Sequence, residues 1–154
     1  IAQKKAVYER YKEGFKDLPI QMNPIVEGCV PNYWLSAFTI DPEYMCRQVR
    51  GECEALYISE AGKTCPTEIL EVLNSLNAEG RPIWKPMHMQ PMYRNHAFIT
   101  VDGSGRCRTN AYIPGGCVDV GADIFNRGLC LPSDNKMTDE QIDLIIEVVK
   151  GCFE

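Results

Sequence analysis

No apolar run in this sequence approaches the roughly 20 residues needed to span a bilayer, and no basic, apolar and small-residue leader opens it. Membrane and secretory readings are therefore set aside. Basic residues are in the minority: 16 Lys and Arg against 21 Asp and Glu give a net charge of −5, so no nucleic-acid partner is expected. Histidine is scarce, with only His88 and His96. None of the eight cysteines stands two residues from another, which removes the zinc-ribbon and thioredoxin patterns. Asp102–Arg106 (DGSGR) is glycine-rich, but it lacks GxxxxGK[ST] and a strand-to-helix setting, so it reads as a hairpin tip rather than a phosphate loop. An initiator methionine is also lacking. The sequence starts at Ile1, already inside a helical pattern, and a fragment of a longer protein is expected.

What is present fits one globular domain. The 154 residues are 45% hydrophobic and 24% charged, enough for a packed core. Val7, Tyr8, Tyr11 and Phe15 form one helical stripe ahead of Pro19, and Lys4, Lys5, Arg10, Lys12 and Lys16 read as a solvated face of that helix. Tyr33–Ile40 (YWLSAFTI) reads as a buried strand. The stretch 43–63 has no clear pattern beyond a short helix after Pro42. Pro66 opens a helix carrying Ile69, Leu70, Leu73 and Leu76, ended by Gly80. Residues 81–93 hold three prolines and are expected to be irregular, extended or strand edge. Residues 97–101 and 107–113 are predicted to form a hairpin, Asp123–Arg127 a helical turn or two closed by Gly128, and Leu129–Leu131 a short strand. Thr138 and Gln141 form a capping box for a last helix whose inward face is Ile142, Ile145, Ile146, Val149 and Cys152, with Met137 stapled to Ile142. The predicted class is α+β: a small, mostly antiparallel sheet with helices packed on one side. Cys130 and Cys152 read as buried apolar residues. A Cys46–Cys53 disulfide is an open alternative to the reduced, cytoplasmic thiols expected for the set.

Arg81–Tyr93 (RPIWKPMHMQPMY), Ile124–Ser133 (IFNRGLCLPS) with the capped helix after it, the opening Tyr8-Glu9-Arg10-Tyr11 and the later Asn32-Tyr33-Trp34-Leu35 together resemble the small domain of DegT-type sugar-nucleotide aminotransferases. The four pieces occur in the family's order across the whole chain. The resemblance implies a single C-terminal small domain over 1–154, with a hairpin-like insertion at about 96–118. It also implies the aspartate-aminotransferase fold in a homodimeric parent, where an N-terminal large domain absent here holds pyridoxal phosphate on a lysine. The reaction it implies moves an amino group from glutamate to a nucleotide-linked keto-sugar.

None of the eight lysines (Lys4, Lys5, Lys12, Lys16, Lys63, Lys85, Lys136, Lys150) stands in the family's Schiff-base context, so no cofactor and no turnover are expected of this polypeptide alone. The expected substrate-binding residues are His88 and Gln90, as hydrogen-bonding groups, and Trp84 and Tyr93, as flat faces for a sugar or a base, on a backbone pre-set by Pro82, Pro86 and Pro91. Each has a plainer alternative: Trp84 in the core, His88 as a packed, satisfied histidine. Asn32, Tyr33 and Arg81 are weaker candidates, readable equally as turn, core and surface residues. Two rival functions stay open, a stand-alone nucleotide-sugar-binding module and a protein-interaction domain. A domain separated from its partner is also expected to expose apolar surface, with Tyr8, Tyr11 and Phe15 as candidates.

Overall fold

The structure, a computed structural model, describes residues 1–51, 54–93, 95–99 and 119–154. The chain divides into two compact units, Ile1–Ile83 with Arg127–Glu154, and Trp84–Asn126. The predicted hairpin and most of the 96–118 insertion lie outside the described residues. Among the described residues no helix is long and apolar enough to cross a membrane.

The first unit is built on a four-stranded antiparallel sheet. Its strands are β1 (Ile20–Met22), β2 (Ser36–Ile40), β5 (Arg81–Pro82) and β6 (Gly128–Leu131), in the order β1-β2-β6-β5. Phe38 pairs with Met22 on one side and Leu129 on the other. Alternate side chains of β2 and β6, namely Phe38, Ile40, Leu129 and Leu131, enter one core with residues from three helices. These helices are α1 (Ala2–Gly14), α2 (Pro66–Ser75) and α4 (Asp139–Gly151). A period-2 face meeting period-3.6 stripes is the expected α+β arrangement.

α4 begins at the predicted capping box: Thr138 Oγ1 accepts from the Gln141 amide at 3.3 Å and Gln141 Oε1 from the Thr138 amide at 3.0 Å. Its Ile142, Ile145, Ile146 and Val149 are all buried, and Met137 packs against them.

Several expectations are corrected. Tyr8, Tyr11 and Phe15 are 3%, 0% and 2% exposed, so they form core and not a bared surface. Tyr11 stacks on Phe15 at 5.8 Å, and Phe15 meets the edge of Phe38 at 5.7 Å. Both tyrosine hydroxyls find backbone carbonyls, Tyr8 donating to Asn23 at 2.8 Å and Tyr11 to Pro132 at 2.9 Å, as interior phenols require. The basic face of α1 is only partly free in solvent. Arg10 grips Asp143 with two nitrogens at 2.8 and 2.7 Å and Asp139 at 2.8 Å, and Lys4 donates to the Ser133 carbonyl. The second strand begins at Ser36 and not Tyr33, because Tyr33 sits at φ +54. α2 stops at Ser75, and the left-handed residue beyond it is Asn77 (φ +58) rather than Gly80. Leu76 is accordingly half exposed. Gly128 opens β6 and does not close the preceding helix.

The unassigned stretch holds a 3-10 turn (Pro42–Tyr44) and a hairpin of β3 (Arg47–Arg50) and β4 (Ala55–Ile58). Cys46 is buried and free; Cys53, the other half of the open disulfide alternative, lies outside the described residues. The neighbour of Cys46 is Cys65, the residue that caps α2 through Sγ.

α1 and α4 touch where Gly14 stands. A β-carbon there would fall 2.5 Å from Ile146 Cδ1 and 2.9 Å from both Cγ1 and Cγ2. Cγ1 and Cγ2 branch directly from Ile146 Cβ, so rotating a chain end gives no relief. Gly14→Ala is therefore expected to destabilise by about 1–2 kcal/mol, overpacking at about 1–3 kcal/mol outweighing about 1 kcal/mol of helix propensity. Urea unfolding reads this, and Ile146→Val in the same background should recover part of the loss.

Candidate functional site

The second unit carries the proline-rich segment. It is less extended than expected: after Trp84-Lys85-Pro86 the backbone closes two successive 3-10 turns, Met87–Met89 and Pro91–Tyr93. The Met89 amide donates to the Pro86 carbonyl at 2.9 Å, Gln90 to Met87 at 3.0 Å and Tyr93 to Gln90 at 2.9 Å. Proline fixes φ at the start of each turn. The segment is coiled and not extended.

The second element of this unit is the N-terminal part of α3 (Val120–Arg127). Asp119 caps it, Oδ1 accepting from the Ala122 amide at 2.9 Å. A carboxylate suits this position both as a cap and against the helix dipole. The other oxygen, Oδ2, lies 2.5 Å from His88 Nε2. The two side chains are 17% and 25% exposed, and the imidazole leans on Phe98 at 4.7 Å. A β-carbon on Gly121 would come within 3.3 Å of Pro86 Cγ, so glycine lets the first turn of α3 approach the proline segment closely. His88 is therefore a partnered, oriented histidine.

Of the other predicted residues in this unit, Trp84 is 64% exposed, which overturns the core alternative. Gln90 donates through Nε2 to the Lys85 carbonyl at 3.3 Å and so braces its own segment. Tyr93 packs edge-on to His96 at 5.7 Å. Asp119 was missed by sequence reasoning. Its signal was an Asp just ahead of the apolar-periodic VGADIF, obscured because the helix was expected to start at Asp123.

The remaining candidates belong to the first unit. Asn32 Oδ1 accepts from the Trp34 amide at 3.0 Å, a local turn of the kind Asn favours. Tyr33 rests on Tyr8 at 5.4 Å in its left-handed conformation. Arg81, in β5, pairs with Glu79 on the surface. The structure brings His88, Gln90 and Tyr93 into one turn-built segment, and Asn32 and Tyr33 into one loop. Among the described residues no group of three His, Cys, Asp or Glu side chains could hold a metal ion.

No family model matches the chain. It is 27% identical over 154 residues to the putative pyridoxal phosphate-dependent aminotransferase EpsN of Bacillus subtilis, covering 99% of this chain and 31% of the relative. It is 24% identical to the GDP-perosamine synthase of Vibrio cholerae, with 99% of this chain and 32% of that protein covered. The chain thus spans about a third of the length of the curated relatives it matches. Among solved structures, a DegT DnrJ EryC1 StrS aminotransferase from Brucella abortus superposes with a TM-score of 0.65 at 16% identity, over 99% of this chain and 31% of that one. PseC of Helicobacter pylori, an aminotransferase of pseudoaminic acid biosynthesis, gives 0.64 at 15% identity over 99% and 32%. In sequence the chain is similar to about a third of these aminotransferases, and its fold is that of the corresponding third of the solved aminotransferases.

Proposed function

We propose that this chain is the small domain of a pyridoxal-phosphate-dependent aminotransferase that moves an amino group from glutamate to a nucleotide-linked keto-sugar. Its part is to line and cover one side of the substrate cleft. The observation that carries the reading is likeness over 99% of the chain to about a third of proteins named as a pyridoxal phosphate-dependent aminotransferase, a GDP-perosamine synthase and an aminotransferase of pseudoaminic acid biosynthesis. The rest of the parent, on this reading, is a large domain that holds the cofactor, in a cytoplasmic homodimer. The five cysteines among the described residues are free thiols, which suits that compartment.

This chain's own residues do not fit a pyridoxal-phosphate pocket. None of its eight lysines is buried, and Lys16, Lys63 and Lys150 are held in surface pairs by Glu13, Glu60 and Glu147. A Schiff-base amine needs an enclosed setting beside groups that hold the ring nitrogen and the phosphate. No chemical step is therefore assigned to these residues. What the proline-rich segment offers is recognition: an exposed indole face at Trp84 for a ring, and polar edges at His88 and Gln90 for hydroxyls.

Titration of the chain with UDP-glucose and GDP-mannose, followed by amide NMR, tests this. Shifts concentrated at 84–93 and weakened about tenfold in His88→Ala, the scale of one lost hydrogen bond to a charged or oriented group, support it. Glutamate-dependent amination of a keto-sugar nucleotide should stay at background. Indifference to both nucleotide sugars sinks the ligand reading and favours an interaction domain, and genuine turnover would overturn the assignment of chemistry to a missing domain. The interaction reading has one observation of its own, the outward face of the β3–β4 hairpin, where Val49, Leu56 and Ile58 are each about 60% exposed.

A further inference from the structure

We infer that Asp119 is a positioning residue: it holds the His88 imidazole with the proton on Nε2, so that Nδ1 is presented as a hydrogen-bond acceptor to a ligand hydroxyl. The ligand half of this rests on the sugar-binding reading above. The Asp119–His88 couple does not.

The argument starts from hydrogen-bond inventory. An ionised carboxylate has only acceptors, and a neutral imidazole has one N–H and one lone-pair nitrogen. At 2.5 Å from Asp119 Oδ2, Nε2 must be the nitrogen that carries hydrogen, and the lone pair is left to Nδ1. The partner of one ring nitrogen thus decides what the other can do. Asp119 cannot easily turn away, because its second oxygen is engaged by the Ala122 amide at 2.9 Å, and the Asp123 amide closes the first turn onto the Asp119 carbonyl at 3.0 Å. The ring cannot easily turn either. Phe98 lies 4.7 Å from its centroid, and the backbone carrying it is fixed by the 3-10 turn from Pro86. Both side chains are at most a quarter exposed, so water competes weakly for the contact and its directing power is greater than on an open surface. A lone-pair nitrogen so oriented recognises a donor. Sugar hydroxyls supply one, whereas a phosphate oxygen does not.

Long-range 1H–15N correlation spectra of the ligand-free chain, at a pH where the ring is neutral, read the tautomer directly. His88 should show a protonated Nε2 and a bare Nδ1. Asp119→Ser keeps a good helix cap but is too short to reach His88, and should give a mixed tautomer with unchanged far-UV circular dichroism. In Asp119→Asn the amide oxygen retains the cap while the NH2 faces Nε2. The proton should then move to Nδ1, converting the presented acceptor into a donor. UDP-glucose should bind about tenfold more weakly to both variants. A protonated Nδ1 in the wild type, or the same tautomer in all three proteins, overturns the assignment of Asp119 whatever the ligand does. The expected tautomers together with no binding of UDP-glucose or GDP-mannose by the wild type would leave the couple intact and overturn the ligand half and the sugar-binding reading with it.

Discussion

Phe38→Ala is expected to lower the folding stability by about 3–5 kcal/mol, a substantial part of that of a typical domain. Phe38 is 1% exposed at the centre of β2, flanked by Met22 on β1 and Leu129 on β6. Phe15, the residue that ends α1, packs against Phe38 edge-to-face at 5.7 Å. Removing it opens a cavity bounded by two strands and a helix that cannot all collapse inward, because β2 is hydrogen-bonded on both sides. Such a truncation costs about 3–5 kcal/mol, against a total stability of about 5–15 kcal/mol for a typical domain. Equilibrium urea unfolding monitored by circular dichroism gives the number. A loss below about 1 kcal/mol would mean that the Phe15–Phe38 contact is not the junction of helix and sheet that its burial implies. Phe38→Leu, which keeps most of the volume, should lose much less.

The same residues explain what could be read from sequence. The strand carrying Phe38 and the helix opened by Thr138 were legible because apolar period, cap and burial agree in them: Ser36, Phe38 and Ile40 alternate inward, and four residues of α4 share one buried stripe. The β3–β4 hairpin was illegible because its burial is inverted. Val49, Leu56 and Ile58 face outward, while the inward face uses polar groups, Gln48 accepting from the Thr67 hydroxyl at 2.8 Å and Tyr57 bonded to Glu71. Arg47–Arg50 has one apolar residue and Ala55–Ile58 has no polar break, so neither strand shows the apolar–polar alternation that marks a half-buried strand. Tyr8, Tyr11 and Phe15 were misjudged for a different reason. Periodicity shows that side chains share a helix face, but not whether the surface that covers them lies in the same chain. For the candidate site, the segment around His88 was found by its residue types. Asp119 is 31 positions away, and no local rule links a helix cap to a histidine at that distance.

High pH should unfold this protein through its own thiols. Burial pushes Cys46 up to about 12, helped by its hydrogen bond to Cys65, and burial pushes Cys152 up to about 11. Burial also raises Cys130 and Tyr11. In the unfolded chain a thiol titrates near about 8.5 and a phenol near about 10. A group raised by folding stays protonated longer in the native state, so above the unfolded value the unfolded state sheds the proton first and gains. The contribution is complete below about pH 8.5 and is lost as pH rises through the folded values of about 11 to 12. Over that window a fully buried thiol lowers stability by at most about 1.4 kcal/mol per pH unit. Cys46, 3% exposed, should contribute close to that full slope, and Cys152, only partly buried, less. Urea midpoints are therefore expected to fall steadily from about pH 8.5 to 10.5 in reducing buffer. In Cys46→Ala the starting stability is lower from lost packing, but the fall with pH should be shallower, because one of the protons that the fold retains is gone. A midpoint that stays level across this range, or a Cys46→Ala slope as steep as the wild type, would show that Cys46 ionises as readily inside the fold as outside it. The buried environment between β3 and α2 would then be wetter than its packing indicates.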